Sequence, residues 1–252
     1  MDDLKGQRVL VTGASKGIGR AVAAAFARAG AHVAIHYSAS AAEARALADE
    51  LGAGGATVFL GRGDLREHGA AAQVVNEAAE KLGGLDTLVN NAGAMVRRAP
   101  FGEIDDPLID EVFDLNVRSV VQACQAAVPH LETSGGGAII NVGSIAGSNG
   151  GGPGAAIYAG AKSFVHSVTR YLAKDLGPQG IRVNTVSPGV IDTPFHAATP
   201  PERMEAMRQS VPLGRIGTAE ECAGVFLFLA SPALSGYISG QNIHVNGGQF
   251  IP

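Results

Sequence analysis

Short runs rich in valine and isoleucine alternate with longer alanine-rich segments of helical spacing along the whole chain. This alternation limits the fold more than any other feature. The candidate strands are Arg8–Thr12, His32–His36, Thr57–Gly61, Thr87–Asn90, Ala138–Val142, Arg182–Val186 and Asn242–Val245. Apolar runs this short suit strands that are covered on both faces. Between them lie segments such as Gly17–Ala29, with Ile18, Val22 and Phe26 at helical spacing, and Glu67–Leu82. Repeated strand–helix units predict right-handed βαβ crossovers and a parallel sheet with helices on both faces. No linker or composition shift divides the 252 residues, so one domain spanning 1–252 is expected. The glycine tract Gly147–Gly154 reads as a loop, because candidate chemical residues stand on both sides of it.

Composition narrows the function. With 46% hydrophobic residues and no collagen-like period among its 35 glycines, the chain is neither disordered nor fibrous. A net charge of −4 without a basic block argues against a nucleic-acid partner. Cys124 and Cys222 make no disulfide framework, and the seven histidines show no metal-ligand spacing, so no metal is expected. The acidic start Met1–Lys5 lacks the apolar stretch of a signal peptide, and no segment is long and apolar enough to span a membrane. A cytoplasmic location is the expectation.

The first strand runs into Thr12-Gly13-Ala14-Ser15-Lys16-Gly17-Ile18-Gly19 and then at once into a helix. Glycines let such a turn approach a pyrophosphate, and the helix N-terminus offers N–H groups and positive potential. Tight packing in any α/β protein accounts for the turn equally well. Asp64, after the third strand, can accept from an adenine amino group, or it can cap a helix. Asn90-Asn91-Ala92-Gly93 closes the fourth strand at the sheet edge that faces the ligand crevice. At the end of the second strand, an acid would bind a ribose 2′-hydroxyl and repel a 2′-phosphate. His36-Tyr37-Ser38-Ala39-Ser40 has none, while Ser38, Ser40 and Lys16 can hold a phosphate. NADP(H) is therefore expected ahead of NAD(H), which stays admissible.

Tyr158 and Lys162 are four residues apart and share one helix face. A free phenol, with pKa ~10, is a poor acid or base near neutrality. A neighbouring ammonium, joined by an oxidised nicotinamide's charge, is expected to lower it. Ser144 follows the fifth strand, where its hydroxyl can polarise a substrate carbonyl. Asn116 lies inside a long helix expected over Asp106–Leu131, and Asn competes there for backbone hydrogen bonds. An irregularity at that point would give Lys162 a proton route to water. An asparagine simply bonded within the core is the plainer alternative.

Taken together, Thr12-Gly13-x-x-x-Gly17-Ile18-Gly19, Asn90-Asn91-Ala92-Gly93, Asn116, Ser144, Tyr158-x-x-x-Lys162 and Ser187-Pro188-Gly189 resemble the classical short-chain dehydrogenases/reductases over essentially the whole chain. The resemblance implies a seven-stranded, doubly wound Rossmann sheet and a homotetramer. It implies Tyr158 as general acid/base, Ser144 as the hydroxyl that orients the carbonyl, and Lys162 as a ribose ligand. Asn116 would anchor a relay water. Gly13, Ser15, Lys16, Gly17, Ile18, Gly19, Tyr37, Ser38, Ser40, Asp64, Leu65, Asn91, Ala92 and Gly93 would hold the dinucleotide. Pro188, Gly189 and Thr193 would join Tyr158 and Lys162 at its nicotinamide end.

A small-molecule carbonyl compound or alcohol is the expected substrate. Arg97, Arg98, Gly150 and His196, with Ser144 and Tyr158, are the candidates to contact it, under a lid at about 194–212. The strings Gly151-Gly152-Pro153-Gly154 and Asp192-Thr193-Pro194-Phe195-His196-Ala197 resemble bacterial reductases of keto-uronates such as 4-deoxy-L-erythro-5-hexoseulose uronate. A 3-oxoacyl-carrier-protein reductase, a sugar dehydrogenase and a non-catalytic nucleotide-binding regulator are the alternatives.

Overall fold

The computed structural model describes residues 2–252. All seven expected strands form: β1 (Arg8–Val11), β2 (His32–Tyr37), β3 (Val58–Arg62), β4 (Thr87–Asn90), β5 (Gly137–Val142), β6 (Ile181–Pro188) and β7 (Asn242–Val245). They build one sheet in the order β3-β2-β1-β4-β5-β6-β7, and every pair is parallel. The helices are α1 (Gly17–Arg28), α2 (Ala41–Ala53), α3 (Ala70–Leu82), α4 (Asp106–Phe113), α5 (Ser119–Thr133), α6 (Ala146–Asn149), α7 (Ala156–Asp175), α8 (Pro201–Gln209), α9 (Ala219–Ala230) and α10 (Pro232–Ser235). The result is a Rossmann-like α/β fold.

Strand alternation divides the core between the two faces. Val9, Val11, Val33, Ile35 and Ile140 pack with Phe26 of α1 and Phe226 and Leu229 of α9. Their neighbours Leu10, Ala34, Leu88, Ile139 and Val183 point the other way, onto Val74 and Val75 of α3, Leu131 of α5 and Val165 of α7. Both faces are buried, so the strands need no polar alternation. The chain winds from β1 out to β3, then returns to place β4 on the other side of β1. Ligands of open α/β sheets bind outside the carboxyl ends of the strands at such a reversal.

The helix expected over Asp106–Leu131 is interrupted. Asp114–Arg118 forms a wide π turn between α4 and α5. Its cause is Asn116, whose buried amide Nδ2 donates to the Val112 carbonyl at 2.8 Å and to the Ala94 carbonyl at 2.9 Å. A side chain occupies the acceptor one turn back, and the backbone widens around it. The segment expected as a helix from Glu67 starts at Ala70 instead, behind Gly69 at φ +87°. Asp64 therefore caps no helix; its Oδ1 accepts from Arg66 N at 3.1 Å.

Candidate active site

The carboxyl ends of the strands open into one cleft of about 940 Å³. Its floor is the turn after β1. Gly13 (φ +62°) and Gly17 (φ +55°) hold left-handed conformations, and a Cβ on Gly13 would lie 2.9 Å from Ala92 Cα. At Gly19 an added Cβ would meet Asn91 Nδ2 at 2.4 Å and the Gly13 carbonyl at 2.5 Å. Thr12 Oγ1 accepts from the Asn91 and Ala92 N–H groups, and Asn91 Nδ2 donates to the Thr12 and Gly13 carbonyls. The Asn91 side chain thus braces the turn, and Asn91 still borders the cleft.

His36 completes the brace. Its Nδ1 accepts from Gly13 N at 3.0 Å, which fixes the proton on Nε2, and that donates to the Gly63 carbonyl at 3.1 Å. Burial pushes this imidazole below its usual pKa, so it stays neutral.

Ser15, Lys16, Ile18, Ser38, Ser40, Asp64, Leu65, Ala92, Gly93, Pro188, Gly189 and Thr193 also line the cleft, as the sequence led us to expect. Tyr37 does not. It points to the opposite face from His36 and packs beside the α1–α9 core. Lys16 Nζ is 2.8 Å from Glu43 Oε1 on α2, an acid the sequence reading did not single out. Asp64 is held by Arg66 at 2.6 Å.

At the far end of the cleft stand Ser144, from the end of β5, and Tyr158 and Lys162, one turn apart on α7. Lys162 Nζ donates to the Val142 carbonyl at 2.8 Å and lies 5.7 Å from the Tyr158 ring centroid. Burial pushes its pKa down to about 8. The same burial pushes the half-buried Tyr158 phenol up to about 12, against the pull of a hydrogen bond from Ser144. Lys162 by itself does not offset that burial; the expected lowering joins its charge to that of an oxidised nicotinamide. Desolvation outweighs an ammonium that is already engaged with a carbonyl. Asn116 lies just behind. A Cβ on Gly93 would sit 2.7 Å from Asn116 Oδ1 and 3.2 Å from Lys162 Nζ, so only glycine lets the three approach. Asn116 Oδ1 is buried without a partner, a site that suits a bound water.

The substrate candidates separate. Val96 takes φ +63°, an uncommon conformation for a β-branched residue, and the two arginines after it diverge. Arg97 leaves the cleft and pairs with Asp105 at 2.5 Å, whereas Arg98 lines it. Gly150 ends α6 at φ +84° and faces outward; Asn149, Gly151 and Gly152 are at the cleft in its place. His196 is in the cleft beside Phe195, and the Phe195 ring lies 5.8 Å from Tyr158. The sequence reading named Phe195 only as part of the lid. Its neighbour His196 was the one signal for it.

The cleft volume and the glycine cradle fit a dinucleotide, whose pyrophosphate would meet the Gly13–Gly19 turn. Comparison with known proteins agrees. A family model described as enoyl-(acyl carrier protein) reductase matches residues 13–249. The 3-oxoacyl-[acyl-carrier-protein] reductase of Staphylococcus aureus is 37% identical over 96% of this chain and 97% of its own. An NADH-dependent reductase responsible for alginate metabolism is 39% identical, with a TM-score of 0.92 over 100% of both chains. A short-chain dehydrogenase of Burkholderia cenocepacia, solved with NADP, is 37% identical, with a TM-score of 0.92 over 98% of this chain and 99% of that one.

Proposed function

The chain belongs to the short-chain dehydrogenase/reductase family, and from that premise we propose that it is an NAD(P)(H)-dependent oxidoreductase of a small polar carbonyl compound, best matched by a keto-uronate. One observation carries the reading: Ser144, Tyr158 and Lys162 line the same cleft as the glycine-rich turn. When bound, the cofactor supplies hydride to the carbonyl carbon or takes it from the alcohol. Ser144 donates a hydrogen bond to the carbonyl oxygen and orients it. Tyr158 gives its phenolic proton to that oxygen in reduction and recovers it in oxidation. Lys162 would hold the ribose and, through a water at Asn116 Oδ1, would return a proton to Tyr158. A phenol kept protonated suits the reductive direction.

NADP(H) is the preferred cofactor in this proposal and NAD(H) a second one. Ser38 and Ser40 border the cleft with Lys16, and neighbours of this fold include an NADP complex and an NAD complex. The keto-uronate assignment is supported by full-length likeness to the alginate-metabolism reductase and by the glycine-rich wall Gly151–Gly152. The second reading, a 3-oxoacyl-carrier-protein reductase, draws on the Staphylococcus aureus relative. Arg97 offers it little, since Asp105 already neutralises that charge. A cytoplasmic homotetramer is part of the proposal; no helix among the described residues is long and apolar enough to cross a membrane. The test is NAD(P)H oxidation with keto-uronates, 3-oxoacyl thioesters and neutral dicarbonyls. The highest kcat/KM should fall on the keto-uronate with NADPH, and a preference for the thioester would reverse the two readings.

A further inference from the structure

Three segments meet beside the cleft: the loop after β4 with Arg98, which lines it, the glycine-rich loop, whose Gly152 lines it and whose Pro153 stands just outside, and α8 with Arg203, which reaches that loop from outside the lining. The Pro153 carbonyl accepts from Arg98 Nη1 at 2.9 Å and from Arg203 Nη2 at 3.0 Å. Two cations share one neutral acceptor. Their neighbours are neutralised, Arg97 by Asp105 and Arg208 by Glu205. Arg98 and Arg203 have no ion-pair partner among the described residues. A carbonyl has a lone pair for each guanidinium, but its dipole does not cancel two charges. Burial first, and then the charge of Arg203, lower the pKa of Arg98. His196 near Arg98 is also lowered, by burial and then by Arg98, against the opposing charge of Asp192, and so adds a neutral imidazole rather than a third cation. The loop between leaves room, for a Cβ on Gly152 would meet nothing nearer than Arg203 Nη2 at 3.6 Å.

We infer that Arg98 and Arg203 form a two-arginine carboxylate site beside the cleft, which takes the acid end of an anionic substrate while Ser144 and Tyr158 take its carbonyl. Guanidinium forks match a carboxylate's two oxygens, and an anion supplies the charge that Pro153 lacks. The inference rests on the carbonyl-reductase reading above, and it brings α8 into substrate recognition through a residue that the lid's sequence did not mark.

The test uses the full-length enzyme with NADPH. Arg98→Gln, Arg203→Gln and Arg203→Lys are compared on a keto-uronate and on a neutral dicarbonyl of similar size. D-glucuronate and D-glucose serve as dead-end inhibitors. Each Gln variant should lose about tenfold more kcat/KM on the keto-uronate than on the dicarbonyl, and should raise the Ki of glucuronate about tenfold. Arg203→Lys should recover part of both. Equal losses on both substrates, with glucuronate inhibition unchanged, would mean that the arginines only pin α8 to the loop, and the inference would fall while the reductase reading stood. Conversely, a wild type that ignores keto-uronates, yet loses glucuronate inhibition in the variants, would keep the anion site and remove the substrate assignment.

Discussion

Tyr158 holds its proton tightly, because the phenolate would lie in a poorly solvated site beside Phe195. Tyr158→Phe removes the transferable proton and leaves the ring packing, so turnover should drop by at least about a thousandfold while NADPH binding stays within about twofold. Fluorescence titration of NADPH alongside steady-state rates separates the two effects; near-normal kcat would refute the assignment. The direction of the pH dependence follows from the same shift. A phenol raised to about 12 is protonated at neutral pH, so alcohol oxidation should accelerate as pH rises toward 10, whereas carbonyl reduction should not. Cofactor choice turns on another residue pair. Lys16 is free to meet a 2′-phosphate only when it leaves Glu43, and Glu43 repels that phosphate. Glu43→Gln should therefore raise the NADPH-over-NADH ratio of kcat/KM by about two- to fivefold, and Lys16→Ala should lower it. If neither substitution moved the ratio, Lys16 would be a surface residue without a role in the choice. The sequence exposed the missing acid after β2, but an acid arriving from another element, 27 positions on from Lys16, left no local signal.

At the scale of elements, the strands were legible because covered parallel strands carry a simple code, short β-branched runs between polar turns. All seven lie within a residue or two of their expected bounds. Apolar residues run on through Val112, Leu115, Val117 and Val120, so only Asn116 marked the point where the long helix breaks. One amide accounts for the interruption. Removing it with Asn116→Ala should leave the Ala94 carbonyl without its donor and cost about 1–3 kcal/mol of stability. It should also slow kcat more than it changes the NADPH affinity, because the partnerless Oδ1 faces Gly93 and Lys162 rather than the glycine-rich turn. Urea unfolding and steady-state kinetics on the same preparation check both parts. An Ala variant with wild-type kcat would leave Asn116 as a purely structural residue. The arginines show the same limit of sequence reading. Arg97 and Arg98 are adjacent in sequence, yet one goes to Asp105 and the other to the cleft, just after the positive φ at Val96.

Across the whole molecule, catalytic helix and sheet are locked together by polar groups that tolerate burial only while neutral. His166, on the same helix as Tyr158 and Lys162, meets Ser187 Oγ of β6 at 2.9 Å, and Ser187 donates to Asn242 Oδ1 of β7 at 2.7 Å. The backbone closes around this imidazole, for a Cβ on Gly143 or Gly147 would come within 2.5 or 2.7 Å of its ring. Burial first, then the charges of His244, Lys162 and Arg170, push His166 down to about 4. His36 and His244 are shifted the same way by burial. A base with a lowered folded pKa binds fewer protons than it does in the unfolded chain. Folding stability must then fall as pH drops below the unfolded value near 6.5, and must level off only below the folded value. For His166 alone the window runs from about 6.5 to about 4 and is worth roughly 3 kcal/mol. Carboxylates such as Asp86, held below its usual value by Arg8, lose their contribution only at lower pH, so the two effects separate. Urea midpoints measured from pH 7.5 to 5.5 should thus decline steadily, above the range in which the carboxylates of the unfolded chain titrate. His166→Gln keeps a hydrogen-bonding side chain without the titration, so it should flatten that decline while lowering stability at pH 7.5. A variant whose pH slope matches the wild type would place the acid sensitivity in the other lowered histidines, His36, His196 and His244, rather than in His166.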